Sequence, residues 1–254
     1  MTNRRSDYPL TPGYDPKKSP SAPIFNAPGV VVYLMLSFAG VFFILAVAPE
    51  RVARLVEVAA AVSPRRFLAG PGANGGVLGM AAPLVAHIFV HANLPHLLFN
   101  SLWLLAFGAP VARRFSAGAA GGAFRAYWDA SVFLTYFVLC GAFGALFYVM
   151  LHSHEYTLLI GASGGVSGLL GGVVRFAFRR PFRWGDDERR IAMLTDRIVV
   201  VWTVAFILLN AAIGLFGGGF FTPGETQIAW EAHVGGYIFG LLTFGLFDRM
   251  SRAV

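Results

Sequence analysis

Long apolar segments alternate with short polar ones along most of this chain. Six stretches of about twenty residues carry almost no charged side chains, and each is long enough to cross a bilayer as a helix. Lipid offers the backbone no hydrogen-bonding partner, so a spanning stretch must pair its own amides, as an α-helix does. The predicted spans are residues 29–48, 94–111, 131–151, 158–174, 198–217 and 228–247. The pattern predicts an all-α membrane protein with a bundle of six transmembrane helices.

The composition agrees with a membrane class. Hydrophobic residues make up 56% of the chain, charged residues 13%, and the mean hydropathy is +0.63. The net charge of +7 could suggest a nucleic-acid partner, but the cations lie between the apolar stretches and form no single patch. We therefore expect the lipid bilayer as a partner, and no nucleic acid. The single cysteine, Cys140, excludes an internal disulfide and is expected to pack as a small apolar group.

The positions of the cations predict the orientation. Four precede the first stretch and seven arginines lie within 175–197, whereas the third and fifth connections contain no Lys or Arg. The positive-inside rule then places both termini in the cytoplasm. The predicted organisation is a polar cytoplasmic tail at 1–28, a six-span membrane domain at 29–248 and a short cytoplasmic tail at 249–254. We expect the 175–197 arginines to touch anionic lipid.

The connection between the first two stretches contains several arginines on the outer side, which long loops tolerate. Its apolar residues recur at helical spacing over 51–62, and Glu50 and Arg54 stand four apart. This spacing predicts an amphipathic helix at the membrane surface.

With both ends inside, spans two, four and six all begin at the outer side of the membrane. His96 and Asn100 are four apart near the start of span two, so they share a helical face. Ser163 and His233 are each the sixth residue of their stretches, or about 8 Å along a helix that rises about 1.5 Å per residue. Intramembrane His and Asn are costly and usually face the bundle interior, so these residues predict one shared site.

These residue types suit nucleophilic catalysis. A Ser hydroxyl becomes a strong nucleophile only when a base takes its proton, and an attacked carbonyl needs donors where its oxygen becomes negative. We expect Ser163 as nucleophile, His233 as base, and the Ser163 backbone N–H, His96 and Asn100 as donors. Small residues four apart predict close contact between spans four and six. They are Gly164, Gly168 and Gly172 in span four and Ala232, Gly236 and Gly240 in span six.

Over about 86–247 the sequence resembles the rhomboid family of intramembrane serine proteases. The motif Gly-Ala-Ser-Gly at 161–164 matches the family's Gly-x-Ser-Gly, and Ala-His-Val-Gly-Gly at 232–236 matches its Ala-His-x-x-Gly. His91 with His-Leu-Leu-Phe-Asn at 96–100 resembles the family's span-two signature. The resemblance implies a Ser-His dyad with no acidic third member and an oxyanion hole that includes His96 and Asn100. It also implies an outward-facing, water-filled cavity and single-pass membrane proteins as substrates. We expect no cofactor.

The chain departs from the family at two places. Ala82-Pro83 stands where members often have Trp-Arg, and Ser167 stands where many have an aromatic residue that packs against the catalytic His. One alternative is therefore a catalytically silent rhomboid-like protein that binds transmembrane helices. Another is a small transporter or channel, which predicts a broken helix or ionisable residues near mid-membrane; the stretches have no Asp or Glu there.

Four further histidines receive other roles. We expect His91 to stabilise the start of span two, His87 to be interfacial, and His152 and His154 to be solvated rather than metal-binding. Glu231 is the acidic residue nearest to His233 along the chain. Short loops and a short basic tail favour a bacterial inner membrane over an organelle.

Overall fold

The computed structural model describes residues 27–116, 122–178, 190–216 and 228–253. Most of the predicted tail at 1–28 and part of the arginine-rich 175–197 segment lie outside these ranges. Within them the only β pairing is an isolated bridge between Val62 and Leu159, so the predicted all-α class is confirmed. The main helices are α1 (Gly29–Val47), α2 (Glu50–Ala60), α3 (Leu94–Ser116), α4 (Ala123–Leu151), α5 (Ser163–Phe176), α6 (Arg197–Phe216) and α7 (Trp230–Met250).

Helices lie at all six of the predicted stretches. Among the described helices, α1, α3, α4 and α6 are long and apolar enough to cross a membrane. Helix α5 has 14 residues, or about 21 Å at about 1.5 Å per residue, and α7 carries Glu231, Asp248 and Arg249 near its ends. Membrane crossing by α5 and α7 stays a prediction.

Helix α5 lies at the centre of the bundle, and eleven of its 14 residues are buried. A Cβ on Gly236 or Gly240 would clash with the carbonyl of Gly164 or Gly168 on α5. The predicted contact between small-residue faces is therefore confirmed, and it brings two helix backbones together. Cys140, on α4, is fully buried against Gly168 as expected.

Tyr136 joins the three central helices. Its ring is fully buried in α4, and its hydroxyl lies 3.0 Å from the carbonyl oxygen of Gly168 and 2.8 Å from that of Gly240. A buried hydroxyl is costly without such partners, so this contact sets how α4, α5 and α7 meet.

A charged network closes the end of the bundle where α3 and α7 finish. Arg114 donates two hydrogen bonds to buried Asp248, at 2.7 and 3.0 Å, and Arg252 donates a third at 2.7 Å. Arg175, which we expected among lipid-facing arginines, is buried and donates to the carbonyls of Ala192 and Leu241. That expectation was wrong for Arg175, because its guanidinium satisfies carbonyls inside the protein.

Helix α2 agrees with the predicted surface helix. None of its residues is buried, so its apolar face is free to meet lipid. Arg54 pairs at 3.7 Å with Glu57, three residues later, and not with Glu50 as the spacing suggested.

Candidate functional site

Ser163 is the first residue of α5. We expected this helix to begin at 158, but residues 158–162 form a non-helical approach in which Gly161 has a φ of +110°. Only glycine adopts such a φ readily, so the chain turns sharply here and leaves Ser163 at the helix end. The estimate that Ser163 lies about 8 Å along its helix was therefore wrong.

Hydrogen bonds to the connection between the first two predicted spans stabilise this turn. The Gly161 N–H donates to the carbonyl of His87 at 2.8 Å, and Val62 and Leu159 exchange backbone hydrogen bonds of 3.1 and 2.9 Å. The His87 ring is buried and donates from Nδ1 to the carbonyl of Pro83 at 2.8 Å. Burial lowers the pKa of His87 to about 4, so the ring is neutral. The expectation of an interfacial His87 was wrong, because its ring is buried inside the protein.

The side chains of Ser163 and His233 meet across the contact between α5 and α7. Ser163 Oγ lies 2.9 Å from Nε2 of His233, which is the fourth residue of α7. Both side chains are partly exposed. The distance is that of a hydrogen bond in which the hydroxyl donates to the imidazole.

The second imidazole nitrogen of His233 has a partner that the sequence reasoning missed. Nδ1 lies 2.9 Å from Oδ1 of Asn210, a buried residue of α6, and the Asn210 amide group donates to the carbonyl of Phe206 at 2.9 Å. Asn210 is the one amide side chain in the predicted span 198–217. That signal was available, because an intramembrane Asn usually has a specific partner.

His96 and Asn100 lie one turn apart on α3 and face the turn before Ser163. The Asn93 side chain caps the helix by accepting from the His96 backbone N–H at 2.8 Å, and Asn100 Nδ2 donates to the His96 carbonyl at 3.0 Å. A Cβ placed on Gly161 would lie 2.7 Å from His96 Nε2 and 3.9 Å from Asn100 Nδ2. Both nitrogens therefore lie close to the backbone that leads into Ser163.

His91 packs beneath this pair. Its ring is buried, with centroid distances of 5.2 Å to both the Phe38 and the His96 rings. The N-cap of α3 is Asn93, and His91 contacts the start of this helix through the His96 ring.

His152 lies in the connection between α4 and α5, and each of its ring nitrogens contacts a carboxylate. Nδ1 is 2.9 Å from Glu155 and Nε2 is 3.1 Å from Glu231 at the start of α7. Although burial lowers it, these carboxylates raise the pKa of His152 above its ordinary value. The expectation of a solvated His152 was wrong, whereas His154 is exposed. Glu231, the acid nearest to His233 in sequence, faces His152.

The arrangement has the parts that acyl transfer requires. A hydroxyl lies in hydrogen-bond contact with an imidazole, and the side chains of His96 and Asn100, which can donate hydrogen bonds, lie beside Gly161, two residues before Ser163. The first N–H groups of α5 have no partner within the helix, and they form the positive end of its dipole. Negative charge that develops on an oxygen beside Ser163 would be stabilised here.

Comparisons with known proteins agree with this geometry. The Rhomboid domain model matches residues 78–249, which include both motifs around Ser163 and His233. The rhomboid protease GlpG of Serratia proteamaculans (strain 568) is 27% identical over 176 residues, which cover 66% of this chain. The chain spans about half the length of that relative, since the match covers 49% of it. The family match takes in well over half of the chain, and this all-α integral membrane protein therefore belongs to the rhomboid family.

Proposed function

We propose that the chain is an intramembrane serine endopeptidase that cleaves the transmembrane helices of single-pass membrane proteins near their outer ends. The observation that carries this proposal is the 2.9 Å contact between Ser163 Oγ and His233 Nε2. The family membership and the name of the relative, a rhomboid protease, support the same activity.

In the first half-reaction Ser163 Oγ bonds to the substrate carbonyl carbon while its proton moves to His233 Nε2. The carbonyl oxygen becomes negative, and the Ser163 N–H, His96 and Asn100 stabilise it. When the C–N bond breaks, His233 gives its proton to the leaving amine, and an ester on Ser163 remains. Water then attacks this ester with His233 again as base, which releases the carboxylic acid product and restores the hydroxyl.

The proposed setting is a six-span bundle, completed by α5 and α7, in a bacterial inner membrane with both termini in the cytoplasm. Ser163, His233 and His96 lie near the starts of α5, α7 and α3, whereas Arg114 and Asp248 lie near the ends of α3 and α7. The positive-inside rule assigns the arginine end to the cytoplasm, so the site faces outward.

Access to the scissile carbonyl limits the choice of substrate. An intact helix keeps its carbonyls in hydrogen bonds, so a substrate must unwind locally before Ser163 can attack. We expect cleavage to favour small or helix-breaking residues near the outer end of the substrate helix. Equal cleavage of a stabilised, Leu-rich helix and a Gly-containing one would contradict this expectation.

The direct test is cleavage of a model single-pass substrate in liposomes by the parent protein and by the variants Ser163→Ala and His233→Ala. The matched control is Ser167→Ala, which makes the same change one turn later in the same helix. The proposal predicts that the parent and Ser167→Ala cut, whereas neither site variant does. Labelling of Ser163 by a fluorophosphonate in the parent and in Ser167→Ala, but in neither site variant, would show an activated hydroxyl without reference to any substrate.

The outcomes separate the proposal from its alternative. If Ser163→Ala still cuts, the dyad assignment fails. If the parent is inert and unlabelled yet still binds transmembrane peptides, the chain is the silent helix-binding member of the family instead.

A further inference from the structure

Asn210 is a polar side chain buried in one of the most apolar helices of the chain. Only 5% of it is exposed, and α6 has neither an acid nor a base after its first residue. An amide in such a helix is costly unless its groups are paired. Both groups are paired here, and one partner is the imidazole of His233.

The amide orientation follows from the hydrogen-bond partners. The Phe206 carbonyl can only accept, so the group of Asn210 that lies 2.9 Å from it must be the NH₂. The amide oxygen then faces His233 Nδ1, also at 2.9 Å. Because an amide oxygen can only accept, Nδ1 must carry the proton. In a neutral ring this leaves the lone pair on Nε2, the nitrogen that faces the Ser163 hydroxyl.

We propose that Asn210 is a positioning residue that holds His233 in the Nδ1–H tautomer, so that Nε2 is always free to take the proton of Ser163. This inference rests on the proposed function of the dyad and adds a third member from a third helix. Asn210 does not touch the substrate. It acts through His233, by fixing both the tautomer and the plane of the ring.

No other described side chain is placed to fix the tautomer and the ring plane of His233. Among the described residues no aromatic ring stacks on the His233 imidazole, and Ser167, one turn after Ser163, is too small to do so. Glu231 is engaged with His152 and does not supply a carboxylate to His233. The amide of Asn210 is the polar contact that the structure gives to Nδ1.

Because Asn210 lies on α6, its contact with His233 also depends on how α6 packs against α7. Beyond Asn210, α6 is held against α7 by Thr203, whose hydroxyl lies 3.0 Å from that of Tyr237, and by the stacking of Phe206 on Tyr237 at 4.4 Å. Thr203 lies seven residues before Asn210 and so on the same helical face. It provides a matched control, because it bonds the same two helices without touching His233.

The experiment compares Asn210→Leu, Asn210→Asp and Thr203→Val with the parent, first by the kinetics of substrate cleavage in liposomes. In soluble Ser-His-Asp proteases the wrong tautomer costs about 10⁴-fold in kcat. Since Asn210 contributes no charge, we expect Asn210→Leu to lower kcat by roughly 10- to 100-fold, with KM within about threefold. Asn210→Asp keeps an acceptor at Nδ1 and should recover most of that loss. Thr203→Val should stay near the parent.

The second measurement needs no activity. The chain has six histidines, so ¹⁵N-histidine NMR in micelles can resolve His233, assigned by its absence in His233→Gln. The parent, Asn210→Asp and Thr203→Val should show a protonated Nδ1 and an unprotonated Nε2. Asn210→Leu should show the other tautomer or a mixture.

Two results would overturn the inference. One is an unchanged tautomer and kcat in Asn210→Leu. The other is an equal loss in Thr203→Val, since that would assign the effect to the docking of α6 alone. A parent that cuts no substrate but shows the expected tautomers would overturn the proposed function and leave the role of Asn210 in place.

Discussion

Replacement of Gly161 by Ala tests the placement of the donors beside Ser163. Gly161 has a φ of +110°, and a Cβ there would lie 2.7 Å from His96 Nε2, well inside ordinary van der Waals contact. Two costs follow. The backbone strain is about 1–3 kcal/mol for a non-glycine residue in such a conformation. In addition, the His96 ring must move by about 1 Å, and a misplacement of that size can cost about 10²-fold in rate.

The expected result is a fall in kcat of about 10²-fold, close to the loss of one oxyanion donor. The matched control is Gly76→Ala. Gly76 has a φ of +100° and nothing within 4 Å of its added Cβ, so this variant carries similar strain without the contact. Gly161→Ala should lose at least as much thermal stability in detergent as Gly76→Ala, but only Gly161→Ala should lose cleavage. If Gly161→Ala cleaves within about threefold of the parent, His96 is not the donor that we assign.

Three further predictions concern packing and charge. The pKa of His152 is raised in the folded protein, so the protonated ring stabilises the fold through its contacts with Glu155 and Glu231. This stabilisation is complete below about pH 6.5 and is lost as the pH rises through the folded-state pKa. The thermal stability that His152→Gln loses should therefore be larger at pH 6 than at pH 8.5. Gly168→Ala should destabilise the fold by about 1–3 kcal/mol in chemical unfolding, since its Cβ would meet Cys140, whereas Gly40→Ala, with open space around it, should not. Arg175→Met leaves two carbonyls without their donor and should cost about 1–3 kcal/mol in the same assay.

Much of the fold followed from local pattern. All six apolar stretches contain a helix, because twenty apolar residues with internally paired amides have few other options in lipid. The contact of α5 with α7 was predictable too, since small residues four apart leave room for another backbone. The start of α5 was not, because apolarity continues from 158 through the turn at Gly161, and hydropathy does not distinguish a helix from a buried bend.

The sequence alone determined which residues could form a site: Ser163, His233, His96 and Asn100 stand out as polar groups in apolar helices. Only the tertiary structure decided which groups they meet. Asn210 faces His233 and Glu231 faces His152 because of how α6, α7 and the outer connection are rotated and placed against one another. Spacing within one helix defines a face, but the neighbour of that face depends on packing between segments far apart in the chain.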